Sequence, residues 1–189
     1  MLIGVLCAVS FGAWADAAQV NLSEKLVRLH VVANSDSEYD QELKLRVRDG
    51  ILEAAESLLK GVQNAEEAAE ILGGNLTYLT ERARLTLEAL GCDMPVGAEL
   101  TREKFPARHY EDFELPPGDY QALRVTIGDG GGRNWWCVVF PPLCGSGNAA
   151  EAAREAGFTE GEAKLIAESG GVKIKFKSIE IWQKIKNML

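Results

Sequence analysis

The run from Asn134 to Cys144, Asn-Trp-Trp-Cys-Val-Val-Phe-Pro-Pro-Leu-Cys, constrains the fold more than any other. It holds two of the four tryptophans and two of the four cysteines. Trp135 to Phe140 has the length and the aromatic and β-branched content of a buried strand. Gly130-Gly131-Gly132 stands ahead of it and Pro141-Pro142 closes it. Glycine supplies the positive φ that tight turns need, so Asp129 to Arg133 predicts a hairpin turn. The strand it would fold back on is Asp119 to Gly128, where Leu123, Val125 and Ile127 alternate with other residues. Trp135 and Trp136 then point to opposite faces. One is core. The other covers a helix or stands at a binding surface, where tryptophan is enriched.

The remaining elements follow from period and punctuation. Leu26 to Ala33 is apolar and β-branched, as a central strand requires. Asn34-Ser35-Asp36-Ser37 stops it, and Ser37 with Asp40 predicts a helix N-terminal cap. Leu43, Val47, Ile51, Ala54 and Leu58 recur on one stripe of a helix from Glu38 to Lys60. Asn64 with Glu67 opens a second helix in the capping-box manner. Gly73-Gly74 breaks it. A third helix carries Leu76, Leu79, Ala83, Leu87 and Leu90. Val96, Ala98 and Leu100 alternate as a half-buried strand, and Phe105 to Gly118 reads as a loop. Ala149 to Glu168 is helical. Val172, Ile174 and Phe176 alternate with lysines as an edge strand, and a short helix with Ile181, Trp182 and Ile185 ends the chain. The sum predicts an α+β fold: a mainly antiparallel sheet of four or five strands, with the helices packed on one side.

Met1 to Ala15 lacks charged side chains and ends in Ala13-Trp14-Ala15, which predicts a secretory signal over residues 1–17. The organisation expected is that signal, an α+β domain over 18–144, and a helix-strand-helix extension over 145–189 packed on the same domain. Removal of the signal leaves Cys92, Cys137 and Cys144, and an odd count leaves one thiol free. Export permits a disulfide. Cys137 and Cys144 are the nearest pair, and their Cα separation decides whether they bridge.

The chain has 189 residues and a net charge of −8. That acidity argues against nucleic acid as a partner, because binding it takes clustered lysine and arginine. The cysteines and histidines lack the close spacing of a zinc site, so no metal and no cofactor is expected. Cys137 with His30 or His109 would be the minimum for a thiol hydrolase. Against that, Cys137 lies mid-strand, where no helix terminus or exposed turn lowers its pKa. Gly128 to Gly132 lacks the Lys-Ser/Thr of a phosphate loop. His30, inside an apolar strand, reads as a hydrogen-bonded histidine and not as a ligand.

Several blocks together carry a family resemblance. They are Leu29 to Ser37, Gln41 to Lys44 with Val47 to Asp49, Phe105-Pro106 with Tyr110, Leu115 to Tyr120, and Asn134 to Cys144. In this order the chain resembles stage II sporulation protein R of endospore-forming bacteria. The resemblance implies a signal and not an enzyme. Such a protein is exported from the forespore into the space between the two membranes of the developing spore. There it activates a mother-cell membrane peptidase of aspartic type that processes pro-sigma-E. No stable membrane insertion after export is expected. The family brings no established binding residues. Partner-binding positions are inferred from turn density and exposable aromatics: Asn34, Ser35, Asp36, Ser37, Tyr110, Asn134, Trp135 and Trp136. An envelope-binding module is the alternative of another class.

Overall fold

A computed structural model describes residues 22–111, 113–144 and 148–167. The elements in chain order are β1 (Val27–Val32), α1 (Glu38–Leu58), α2 (Ala65–Gly74), α3 (Leu76–Ala89), β2 (Val96–Phe105), β3 (Arg108–His109), β4 (Glu114–Leu115), β5 (Gly118–Ile127), β6 (Asn134–Phe140), α4 (Ala149–Glu155) and α5 (Glu160–Ala167). The architecture is α+β, with a four-stranded main sheet in the order β2-β5-β1-β6. The expected closing strand over Val172 to Lys177 and the final helix lie outside the described residues.

The sheet is mixed. β2 pairs antiparallel with β5 and β6 pairs antiparallel with β1, but β1 and β5 run parallel. This corrects the expected hairpin. β5 and β6 are consecutive in sequence, yet β1 is inserted between them, pairing Leu29 with Leu123 on one side and with Cys137 on the other. The glycine turn therefore crosses the end of β1 instead of closing a two-strand ribbon. Its amides bond to β1's exit: Gly132 N donates to Ala33 O at 2.9 Å and Gly131 N to Asn34 O at 3.0 Å. Nothing local separates the two outcomes, because a strand reads the same whichever neighbour it takes.

The strand pleat sorts residues to two faces. Leu29, Val31, Leu123, Val125, Ile127 and Cys137 face one side, where α1, α2 and α3 bring Leu43, Val47, Ile51, Ala68, Leu72, Leu79, Ala83 and Leu87. Each large aliphatic group buried there stabilises the fold by roughly 2 kcal/mol relative to exposure. Ala122, Tyr120, Val138 and Phe105 face the other side, where α4 and α5 supply Ala149, Ala153, Ala163 and Ile166. Helices thus cover both faces, not one as periodicity suggested. Alanine-rich α4 and α5 can pack close because their side chains are small. The expected loop at 105–118 contains the short β3–β4 pair, with Arg108 opposite Leu115.

Candidate functional site

β1 carries two polar clusters. The first lies where the strand ends and α1 begins. Ser37 is the N-cap, its Oγ accepting from Asp40 N at 3.1 Å. Asp40 is buried, and its Oδ2 accepts from Ser35 Oγ at 2.6 Å and Asn34 Nδ2 at 2.9 Å. Those donors hold its carboxyl below the usual carboxylate range, outweighing burial. Asn34 Oδ1 accepts from Asp129 N at 3.0 Å, and the exposed Asp36 accepts from Arg133 N at 2.7 Å. Gln41 Nε2 donates to Ser35 O at 2.8 Å. Buried Lys44 donates to Gln41 Oε1 at 2.6 Å and Arg133 O at 3.0 Å, and burial pushes its amine below the ordinary value. A Cβ on Gly132 would collide with Ser35 O, and one on Gly128, at φ 57°, with the Asn34 side chain. The glycines are there because the turn lies flat against this loop.

The second cluster lies on the α4/α5 face. Arg28 and His30 alternate with Val27, Leu29 and Val31, so the pleat sends both to that face. Arg28 is 0% exposed. Its Nε donates to Cys137 O at 2.9 Å and its Nη2 to Tyr110 Oη at 2.8 Å. Its guanidinium carbon lies 4.4 Å from the Phe105 ring centroid and 5.0 Å from that of Tyr120. Burial pushes its pKa below the ordinary value, opposed by the two tyrosines. Burial also raises the phenols of Tyr110 and Tyr120. Tyr110 Oη donates in turn to Trp136 O at 3.1 Å, and its ring stacks on Phe113 at 4.3 Å. His30 stacks on Trp136 at 5.6 Å. Its Nδ1 is 2.9 Å from Glu103 Oε2 and its Nε2 2.8 Å from Asn134 Oδ1. Arg108 lies 3.7 Å over the Trp136 ring, a cation–π contact.

The inferred partner-binding residues therefore divide. Tyr110, Asn134 and Trp136 come together around Arg28 and His30. Asn34 to Ser37 sit at the adjoining rim, with Asn34 and Ser35 turned inward onto Asp40. Trp135 is on the opposite face under Arg48, whose guanidinium is 4.8 Å from the ring. Sequence reading passed over Arg28, Glu103 and Arg108. The available signal was the pair of basic residues alternating within an otherwise apolar β1. Cys137 is fully buried on the α1–α3 face and is disulfide-bonded to Cys144, with Cα atoms 6.3 Å apart. His30 points to the other face, and His109 pairs with Glu114 at 2.6 Å. Neither imidazole is hydrogen-bonded to Cys137, so no thiol–imidazole pair forms. Cys92 is a free, buried thiol.

No group of three or more potential metal ligands occurs among the described residues. No helix among them is long and apolar enough to cross a membrane. No solved structure matches the chain. It is 35% identical over 125 residues to stage II sporulation protein R of Bacillus subtilis (strain 168), covering 66% of this chain and 56% of that one. The chain thus spans little more than half the length of that relative. The family model described as stage II sporulation protein R matches residues 23–149, from just before β1 to the start of α4. The chain belongs to the stage II sporulation protein R family.

Proposed function

We propose that this chain is an exported sporulation signal that activates, by direct contact, the membrane-bound aspartic peptidase processing pro-sigma-E in the mother cell. Membership of the family carries this reading. In it the protein acts in the space between the forespore and mother-cell membranes and catalyses nothing itself. Two features are in keeping with that role. Cys137, the cysteine on which the hydrolase alternative rests, is tied up in a disulfide, the state that compartments outside the cytoplasm maintain. The aromatic and polar residues Tyr110, Asn134 and Trp136 gather on one half-covered face, which suits a contact surface better than a substrate cleft.

The test is reconstitution in a non-sporulating host. The chain, fused to a working secretion signal, is co-expressed with the cognate peptidase and pro-sigma-E. Processing is read by the mobility shift of the factor. The expected result is processing only when this chain is present. Equal processing without it would rule out activation.

A further inference from the structure

The cluster around Trp136 contains two guanidinium groups that no carboxylate of the fold pairs. Arg28 is wholly buried, yet its Nη1 has no hydrogen-bond partner. Arg108 is half-buried, and its Nε is likewise buried and without a partner. Neither guanidinium has a carboxylate within ion-pair distance among the described residues. The acids of this region sit on histidines instead, Glu103 on His30 and Glu114 on His109, each with one buried oxygen left unpaired. The charge that bears on Arg28 from the β3–β4 pair is the like charge of Arg108, which disfavours its protonated form. In a chain with 28 acidic against 20 basic residues, two adjacent arginines without an acid are unexpected. Burying a guanidinium is costly unless an anion and full hydrogen bonding offset it. For Arg28 the Phe105 and Tyr120 rings, the Tyr110 hydroxyl and one carbonyl offset only part of it.

We propose that Arg108, lying on the Trp136 ring, is a docking point for an acidic side chain on the extracytoplasmic surface of the activated peptidase. The inference rests on the activation reading above. Arg108 is the group a carboxylate reaches from solvent. Its planar fork donates to two oxygens at once, which a lysine ammonium cannot match. Trp136 fixes the guanidinium plane from below. Arg28 is a positioning residue: its bond to Tyr110 holds the phenol that bonds Trp136 O, and its charge stands behind the docking point. An aromatic-backed arginine at the centre of a half-covered face has the character of an interface hot spot.

The experiment uses the same reconstitution, with the chain's melting temperature measured for each variant. Arg108→Gln is expected to lower processing by about tenfold or more with an unchanged melting temperature, and Arg108→Lys to recover part of the loss. Wild-type processing by a folded Arg108→Gln overturns the docking point and leaves activation standing. Absence of processing with the unaltered chain overturns activation itself. If Arg108→Gln does not fold, capture of the detergent-solubilised peptidase by the unaltered chain decides, at about 50 and about 500 mM salt. Capture weakened about tenfold at high salt supports the docking point, and salt-insensitive capture overturns it.

Discussion

At the end of β1, Asn34, Ser35, Asp40 and Lys44 match their buried donors and acceptors with one another and with the glycine turn. No polar atom of theirs is buried without a partner. Further back along the same strand, Arg28 and its neighbours Arg108, Glu103 and Glu114 each keep a buried polar atom unpaired. Both clusters are polar and both are anchored on β1; the first reaches across to the glycine turn, the second to β6. The contrast separates two uses of buried polarity. A closed network rigidifies and specifies one geometry. An open one leaves free energy to be recovered when something outside completes it. The first cluster fixes where β1, α1 and the crossing turn meet. The second is where a partner has something to gain.

The contrast can be broken by mutation. The largest effect is expected from Gly132→Ala. Its Cβ would meet the Ser35 carbonyl, which is backbone and cannot step aside. A loss of about 3 kcal/mol in urea unfolding is expected. A loss under about 1 kcal/mol would mean that the turn and the loop separate readily, and the first cluster would not be the closed one. Reducing the Cys137–Cys144 bridge, which closes a short loop of sequence separation 7, should cost about 2.5 kcal/mol. The measurement is the denaturation midpoint with and without reductant, and Cys137→Ser should reproduce the reduced value.

Asp40 gives a pH signature. Its folded pKa lies below the ordinary carboxylate value, so the stability it contributes is complete above that value and is lost as pH falls through the folded one. Melting temperature should drop on acidification from neutral pH. The drop should be smaller in Asp40→Asn, which has no proton to take up. Equal acid sensitivity would place the titrating group elsewhere. The smallest effect on stability is expected from Arg28→Met, which removes an uncompensated buried charge at similar volume. Loss of the bonds to Cys137 O and Tyr110 should be largely offset by relief of desolvation, leaving a change of about 1 kcal/mol or less. Processing should fall all the same. A large destabilisation would make Arg28 part of the scaffold and erase the distinction between the clusters.

What could be read from sequence was local. Ser37 and Asn64 cap α1 and α2 as their spacing implied, each accepting from the amide three residues on. The stripes of α1 and α3 face the core, except for the exposed Leu90 past the end of α3, because 3.6-residue periodicity is a property of the segment alone. The sheet order was not local. The alternation in β5 and the apolar run of β6 are equally compatible with a hairpin and with a strand slipped between them. The choice is made by Gly131 and Gly132 bonding to Ala33 and Asn34, about a hundred residues upstream. The coverage of both faces escaped for the same reason: α4 carries no mark of which face it joins. At the candidate site, tryptophan and tyrosine drew notice by size. Arg28 did not, because a strand that looks apolar throughout hides the one face on which it is basic.

The placement of β1 has a consequence for the order of events in making the protein. It is the first described strand in the chain, yet it is a central one, and both its neighbours come from the far end. The bond from Arg28 to Cys137 spans 109 residues. Closing such long loops is slow compared with forming helices. β1 therefore emerges from synthesis with both edges open, and the sheet cannot close around it until residues near 140 arrive. Until β5 and then β6 are made, the strand destined for the middle of the sheet has nothing to pair with.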